Sequence, residues 1–366
     1  MSVRSPSLLL GKPGLKSFMG LKIAAVILFF AGTSLLFGDG SLVQQVEDLK
    51  REVDSLKQEV YKKKTPLSGE FIFDLSFLFL QGHENGLSYA IENSDAALII
   101  NEGKSKQLNF KHDLAFQVGM GYRFAFDGWK ISLEYFRIHT DADGNAHTQS
   151  PHLLFPIWTN ANTTGSGSVD HADAHWRLHL GFLDLLLKKD FVHTHLLFRP
   201  VIGLRNGWIR QKYQLIYEGG TLFPGSKDDI SMKNKFWGIG PLAGLFSSWR
   251  FAEHWAIYAN GSFSLLWGYF YVHQSEKAES GEPKRLELHE RFHLSRPLID
   301  FSIGAQWNHL IAKEHALTLR GGWSQLLLLG QNQFKRFLSS PMQGGFVSNQ
   351  GDLTLQGWLF ESNVSF

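Results

Sequence analysis

The sequence predicts an antiparallel transmembrane β-barrel of about ten strands, with twelve as the alternative count. Three observations carry this. Apolar residues recur with period two from Gly69 to the C-terminus. Short turns alternate with long polar loops along that stretch. The chain holds 30 Phe, 11 Trp, 9 Tyr and 36 Gly in 366 residues, a composition of many turns and a heavy aromatic load. A strand facing lipid on one side alternates in polarity, and membrane barrels collect aromatic side chains in girdles at both interfaces.

The N-terminus comes first. Arg4, Lys12, Lys16 and Lys22 precede an apolar run over residues 23–37, followed by Gly38, Asp39 and Gly40. This is the order of a secretory signal over residues 1–40, with a retained anchor as the alternative and Met19 as a candidate true start. Beyond Phe37 no apolar stretch is long enough for a spanning helix, so a helical multi-span protein is excluded. Residues 41–64 then carry Leu42, Val46, Leu49, Val53, Leu56 and Val60 at alternating spacings of four and three. That heptad pattern predicts a periplasmic helix or short coiled coil, with residues 42–60 as a homo-oligomer contact and a lone amphipathic helix as the bland alternative. Lys62, Lys63, Lys64 and Pro66 end it.

Residues 69–366 form the predicted barrel. The strands are read at 69–81, 113–126, 129–140, 172–188, 193–218, 234–250, 255–274, 292–311, 315–329 and 352–366. In the second, Leu114, Phe116, Val118, Met120 and Tyr122 alternate with polar or small residues; in the third, Trp129, Ile131, Leu133 and Tyr135 do so after an Asp127-Gly128 turn. Short turns fall near 127, 190, 252 and 313, and long loops at 82–112, 141–171, 219–233, 275–291 and 330–351. Short periplasmic turns and long external loops give this asymmetry in outer-membrane barrels. Pro200 and Pro241 fall inside strands, where each implies a bulge or a boundary.

Tryptophan spacing adds a measure of height. Trp237 and Trp249 lie twelve residues apart, as do Trp255 and Trp267 on the next strand. Twelve tilted residues rise roughly 30 Å, close to the distance between two aromatic girdles. These four residues are therefore the expected membrane girdle, with outer-membrane lipid as their partner. At the C-terminus Trp358, Phe360, Val364 and the terminal Phe366 share one face, similar to the signal read by the barrel-assembly machinery, although Ser362 departs from it.

A formal charge of +2, from 36 basic and 34 acidic residues, gives no electrostatic case for nucleic acid. The absence of Cys excludes disulfides, thiolate metal sites and cysteine nucleophiles. No cofactor, metal or enzymatic activity is expected. The rival to that expectation is a hydrolase with a rim site at Asp170, His171, Asp173 and His175, of which alternation places His171, Asp173 and His175 on one lumen-facing edge.

Three blocks, DGWKISLEYFRIHT (127–140), LLFRPVIGLRNGWIRQKY (196–213) and FWGIGPLAGLFSSWRF (236–251), resemble the Legionella-type pore-forming outer-membrane protein family. The resemblance spans nearly the whole chain in discrete segments, and it implies a major surface barrel with pore activity. It identifies neither a solute nor a catalytic residue.

If the apolar faces meet lipid, the opposite faces form the lumen. Arg123, Lys130, Glu134, Arg177, Arg199, Arg205, Asp300 and Arg320 are then the ion-path candidates, joined by Asp113 and Asp173. Their basic excess suggests a porin-like channel for ions and small hydrophilic solutes with a weak anion preference. The same charges, paired with one another, would instead close a narrow barrel and leave it as a surface anchor or adhesin acting through its loops.

Overall fold

The computed structural model describes residues 69–94, 103–125, 128–148, 151–160, 167–278, 284–311, 316–337, 345–348 and 351–366. The expected signal, the Met19 start and the heptad helix lie outside the described residues. Ten strands build the barrel: β1 Glu70–Glu84, β2 His112–Arg123, β3 Trp129–His147, β4 His171–Lys189, β5 Leu196–Gly219, β6 Phe223–Arg250, β7 Trp255–Ala278, β8 Lys284–Leu310, β9 Ala316–Leu328 and β10 Leu353–Ser365. Each pairs antiparallel with its neighbours in sequence, and β1 closes the ring on β10 through Ile72↔Ser365 to Glu84↔Leu353. Closure leaves no unpaired strand edge facing lipid, which a bilayer would penalise heavily.

The count of ten agrees with the periodicity, but β1, β3, β6, β7 and β8 each run at least three residues further than expected. Segments 219–233 and 275–291, read as loops, are largely strand: β6 begins at Phe223, β7 ends at Ala278 and β8 begins at Lys284. At 28 residues, β6 rises roughly 70 Å along the barrel axis against an apolar band of about 25 Å. The excess projects beyond the membrane on the side of the long loops as a tower made of β5 to β8. Its β5–β6 turn needs glycine, since Gly219 and Gly220 have φ of 73° and 67°. A Cβ on Gly220 would also sit 2.2 Å from the Ser168 carbonyl oxygen.

The two prolines do not make the expected bulges. Both point outward, and the β5–β6 register runs unbroken through Pro200↔Leu245 and Leu204↔Pro241. Pro200 lies just beyond the last residue paired with β4, and at Pro241 the pairing with β7 lapses for two residues without a shift of register. Proline is tolerated where a neighbour makes no demand on its missing N–H.

Which side of each strand is polar changes with height. On β4 below Gly181, Leu183, Leu185 and Leu187 face outward and Asp184 and Lys188 face inward. Above it the pattern inverts: Trp176, Leu178 and Leu180 are buried inside, and Arg177 and His179 are exposed outside. On β5 the same reversal occurs near Gly207, from outward Ile202 and Leu204 to outward Arg210, and from inward Arg199 and Arg205 to inward Ile209 and Tyr213. Within the membrane the exterior is apolar because it meets lipid. Above it the exterior meets water, so the apolar side chains turn inward and pack as in a soluble protein.

Candidate functional site in the barrel lumen

The lower half of the lumen is a cavity of about 610 Å³ at the end of the short turns. Its walls are charged and internally paired. Arg205 reaches across from β5 to Asp184 on β4, with N···O distances of 2.7, 2.9 and 3.1 Å, and also bonds Asp300 on β8. Ser262 Oγ donates to the same Asp300 at 2.9 Å. Asp190, in the turn after β4, accepts from Lys130 at 2.5 Å and from Arg199. Lys188 bonds Glu134, which also accepts from Gln117 at 3.0 Å. Arg123 pairs with Glu70, and Arg320 with Glu361 at 2.5 Å.

Seven of the eight ion-path candidates therefore line this cavity: Arg123, Lys130, Glu134, Arg199, Arg205, Asp300 and Arg320. Arg177 does not. It stands on the outward, exposed face of β4 above the reversal, and so does Asp173, where a rule of polar-means-inside points the wrong way. Asp113 is on the inward face of β2. The partners Glu70, Asp184, Lys188, Asp190 and Glu361 were not singled out from sequence. Asp184 and Lys188 leave a signal there, two charges on alternate positions of the leucine-rich run LDLLLKK. Among the described lining residues six cations (Arg123, Lys130, Lys188, Arg199, Arg205, Arg320) face six carboxylates (Glu70, Asp74, Glu134, Asp184, Asp300, Glu361), and Asp190 beside them adds a seventh, which leaves no basic excess to favour anions.

Above the cavity the lumen is packed. Leu78 and Leu80 of β1, Leu180 and Phe182 of β4, Leu266 of β7 and Leu298 of β8 are all buried and belong to one apolar cluster. Phe236 and Phe270 pack at a ring separation of 4.6 Å. Higher still, side chains from the external loops enter the barrel mouth. Trp158 and Phe334 meet Tyr213 of β5 at ring separations of 5.7 and 6.3 Å. Hydrogen bonds tie these loops down: Tyr213 Oη donates to the Leu87 carbonyl at 2.7 Å, Tyr217 Oη to that of Tyr89 at 2.6 Å, and Trp158 Nε1 to that of Ser88 at 2.7 Å. Burial pushes the phenol of Tyr217 well above its ordinary range, so it stays protonated as a donor.

One titrating pair lies in the tower. Glu276 of β7 accepts from the backbone and side-chain amides of Asn160, both at 2.9 Å. Beside it Asp228 is fully buried, and burial plus the Glu276 charge push its carboxyl up to about 8. Asp228 therefore keeps its proton at neutral pH beside the Glu276 carboxylate, with the Arg285 guanidinium at 3.4 Å working against the shift.

The rim histidines are on the outer wall, not on a lumen-facing edge. His175 Nδ1 lies 2.5 Å from Asp143 Oδ1, His171 Nε2 lies 2.6 Å from Asp173 Oδ2, and the rings of His139 and His179 stack at 4.0 Å. The lumen-facing positions of this stretch of β4 are Ala172, Ala174 and Trp176. The Trp positions face outward, with Trp237, Trp249, Trp255 and Trp267 between 43% and 61% exposed. Trp358, Phe360 and Phe366 are also exposed, and Val364 lies on the same outward face.

The family model of the Legionella pneumophila major outer membrane protein precursor matches residues 65–366. The chain belongs to this family of outer-membrane β-barrels. No curated protein matches it. Among solved structures it is similar to the outer membrane protease OmpT from Escherichia coli (14% identity, 82% of this chain and 98% of that one, TM-score 0.37). It is also similar to the toluene transporter TodX of P. putida (10%, 82% and 89%, 0.30) and to the attachment invasion locus protein Ail of Yersinia pestis (9%, 82% and 100%, 0.22). Likenesses this distant carry no argument about activity.

Proposed function

We propose that this outer-membrane barrel is closed to ions at rest and serves as a rigid surface platform, its tower presenting the external loops. The observation that carries the reading is the buried layer from Leu80 and Phe182 up to Trp158 and Phe334, mostly apolar but with Glu84, Gln211, Asn234 and Arg296 buried in it, which fills the lumen above the charged vestibule. Ions entering from the periplasm would have to leave their hydration shells for a filled layer in which the main polar side chains, Glu84, Gln211 and Asn234, already bond one another. The exposed loops are where recognition at the surface would reside. The outward aromatic residues of β10, Phe366 included, support a role as the assembly signal during insertion.

A second reading, a gated channel for ions and small hydrophilic solutes, is favoured by the 610 Å³ vestibule, since a platform needs no cavity. Planar-bilayer recording of the refolded barrel separates them. A platform is silent, and steps appear only when Phe182, Phe236, Trp158 and Phe334 are replaced together by small polar residues. Discrete steps in the unaltered barrel would support the gated channel and overturn the sealed platform.

A further inference from the structure

The inward cations named above all have carboxylate partners; a group of outward ones does not. Arg210 and Lys212 of β5 lie directly opposite Lys235 and Lys233 of β6, two like-charge pairs on adjacent strands. Such pairs destabilise a sheet unless something of opposite sign sits between them. Lys235 is opposite Tyr271 of β7, which is opposite Arg291 of β8, and both cations lie over that one ring, at 5.7 and 5.2 Å from its centre. Among the described residues none of these five cations has a carboxylate within ion-pair distance. Along their own strands the nearest outward acids of β6 and β8, Asp229 and Glu287, stand four residues further up than Lys233 and Arg291, and Asp141, level with Lys212 but two strands away, is separated from it by Arg177.

The height of the group is informative. Arg210 and Lys235 are one same-face step beyond Trp208 and Trp237, roughly 5 Å above the external girdle, and Lys212 and Lys233 are one step higher. That is the level of lipid headgroups. Directly below, Ile239, Leu265 and Trp267 are exposed and apolar. A ligand matching both halves carries anionic groups above and acyl chains below.

We propose that Arg210, Lys212, Lys233, Lys235 and Arg291 form a binding site for the phosphate groups of an acylated, phosphorylated glycolipid in the outer leaflet. Phosphate oxygens bridge the opposed cations and remove their mutual repulsion, and the acyl chains cover the apolar wall. The site is independent of whether the lumen opens.

The test uses the full chain refolded in detergent micelles, with diphosphoryl lipid A as the probe and native mass spectrometry to count retained lipid. The unaltered protein is expected to retain it in a salt-sensitive manner. The combined variant Arg210→Gln, Lys212→Gln, Lys233→Gln, Lys235→Gln is expected to lose affinity by about tenfold or more. Should that variant fail to fold, Lys212→Arg, Lys233→Arg, Lys235→Arg keeps the charge and is expected to keep the lipid. Equal retention of a phosphate-free lipid A would overturn the proposal, as would full affinity in the glutamine variant. Complete displacement by millimolar inorganic phosphate would overturn it too, because it would assign the site to the free anion.

Discussion

Truncating Arg205 to alanine removes the cation that holds two strands of the lumen wall together across the cavity. Three hydrogen bonds to Asp184 and one to Asp300 disappear with it. The two acids are not left equally exposed: the side chain of Asp184 is 9% accessible, whereas that of Asp300 is 24% accessible and keeps its bond from Ser262. Asp184 is also directly opposite Glu134, so the orphaned carboxylate faces another acid. Breaking a buried pair while leaving one charge behind costs about 3–5 kcal/mol, and Asp184 should account for most of it. Arg205→Met with Asp184→Leu removes the orphan as well and is expected to be less destabilised than Arg205→Met alone. Urea unfolding in lipid vesicles, followed by tryptophan fluorescence and by the gel shift of the folded barrel, measures both. A loss below about 1 kcal/mol for Arg205→Ala, or a double variant as unstable as the single one, would refute the reasoning.

Asp228 gives a pH dependence of stated sign. Because its folded value is raised to about 8, the tower holds a proton between roughly pH 4 and 8 that the unfolded chain has released, so its contribution to stability falls as pH rises across that window. Asp228→Asn is expected to flatten that dependence and to raise the urea midpoint at pH 8.5; an unchanged slope would contradict it. Ala243 faces lipid midway between Trp237 and Trp249, and Ala243→Arg is expected to cost about 2–4 kcal/mol in the same assay, against little for an arginine at Ser231 in the tower. Deletion of Phe366, whose backbone N–H and C=O both bond Phe71, is expected to lower the yield of inserted barrel in cells. Unaltered insertion would remove the terminal residue from the assembly signal.

Much of this fold is written in period-two alternation, because lipid imposes it on every strand. The β4 boundaries expected at 172–188 are observed at 171–189, and those of β9 at 316–328 against 315–329. The tower was missed for a physical reason. Above the girdle the alternation persists, but its sense inverts, so a polar residue there no longer marks the lumen; Arg177, Asp173 and His175 were misplaced by that inversion. The lumen cations on the membrane-spanning stretches were legible, and so were Glu134 and Asp300, whereas Glu70, Asp184, Asp190 and Glu361 were not; which charge meets which was not legible either, since Arg205 reaches Asp300 across the barrel rather than along the chain. The seal could not be read from strands alone, because Trp158 and Phe334 enter from loops.

The inversion and the seal can be tested together by thiol accessibility, for which a chain without cysteine is well suited. Single cysteines replace Lys188, Asp184, Leu180 and Leu178, four inward positions that climb β4 from vestibule to plug. A membrane-impermeant maleimide is then applied from each side of the reconstituted barrel. Lys188→Cys and Asp184→Cys are expected to react from the periplasmic side only, and Leu180→Cys and Leu178→Cys from neither side. Rapid labelling of Leu180→Cys from the external side would mean an open lumen and would contradict the sealed barrel.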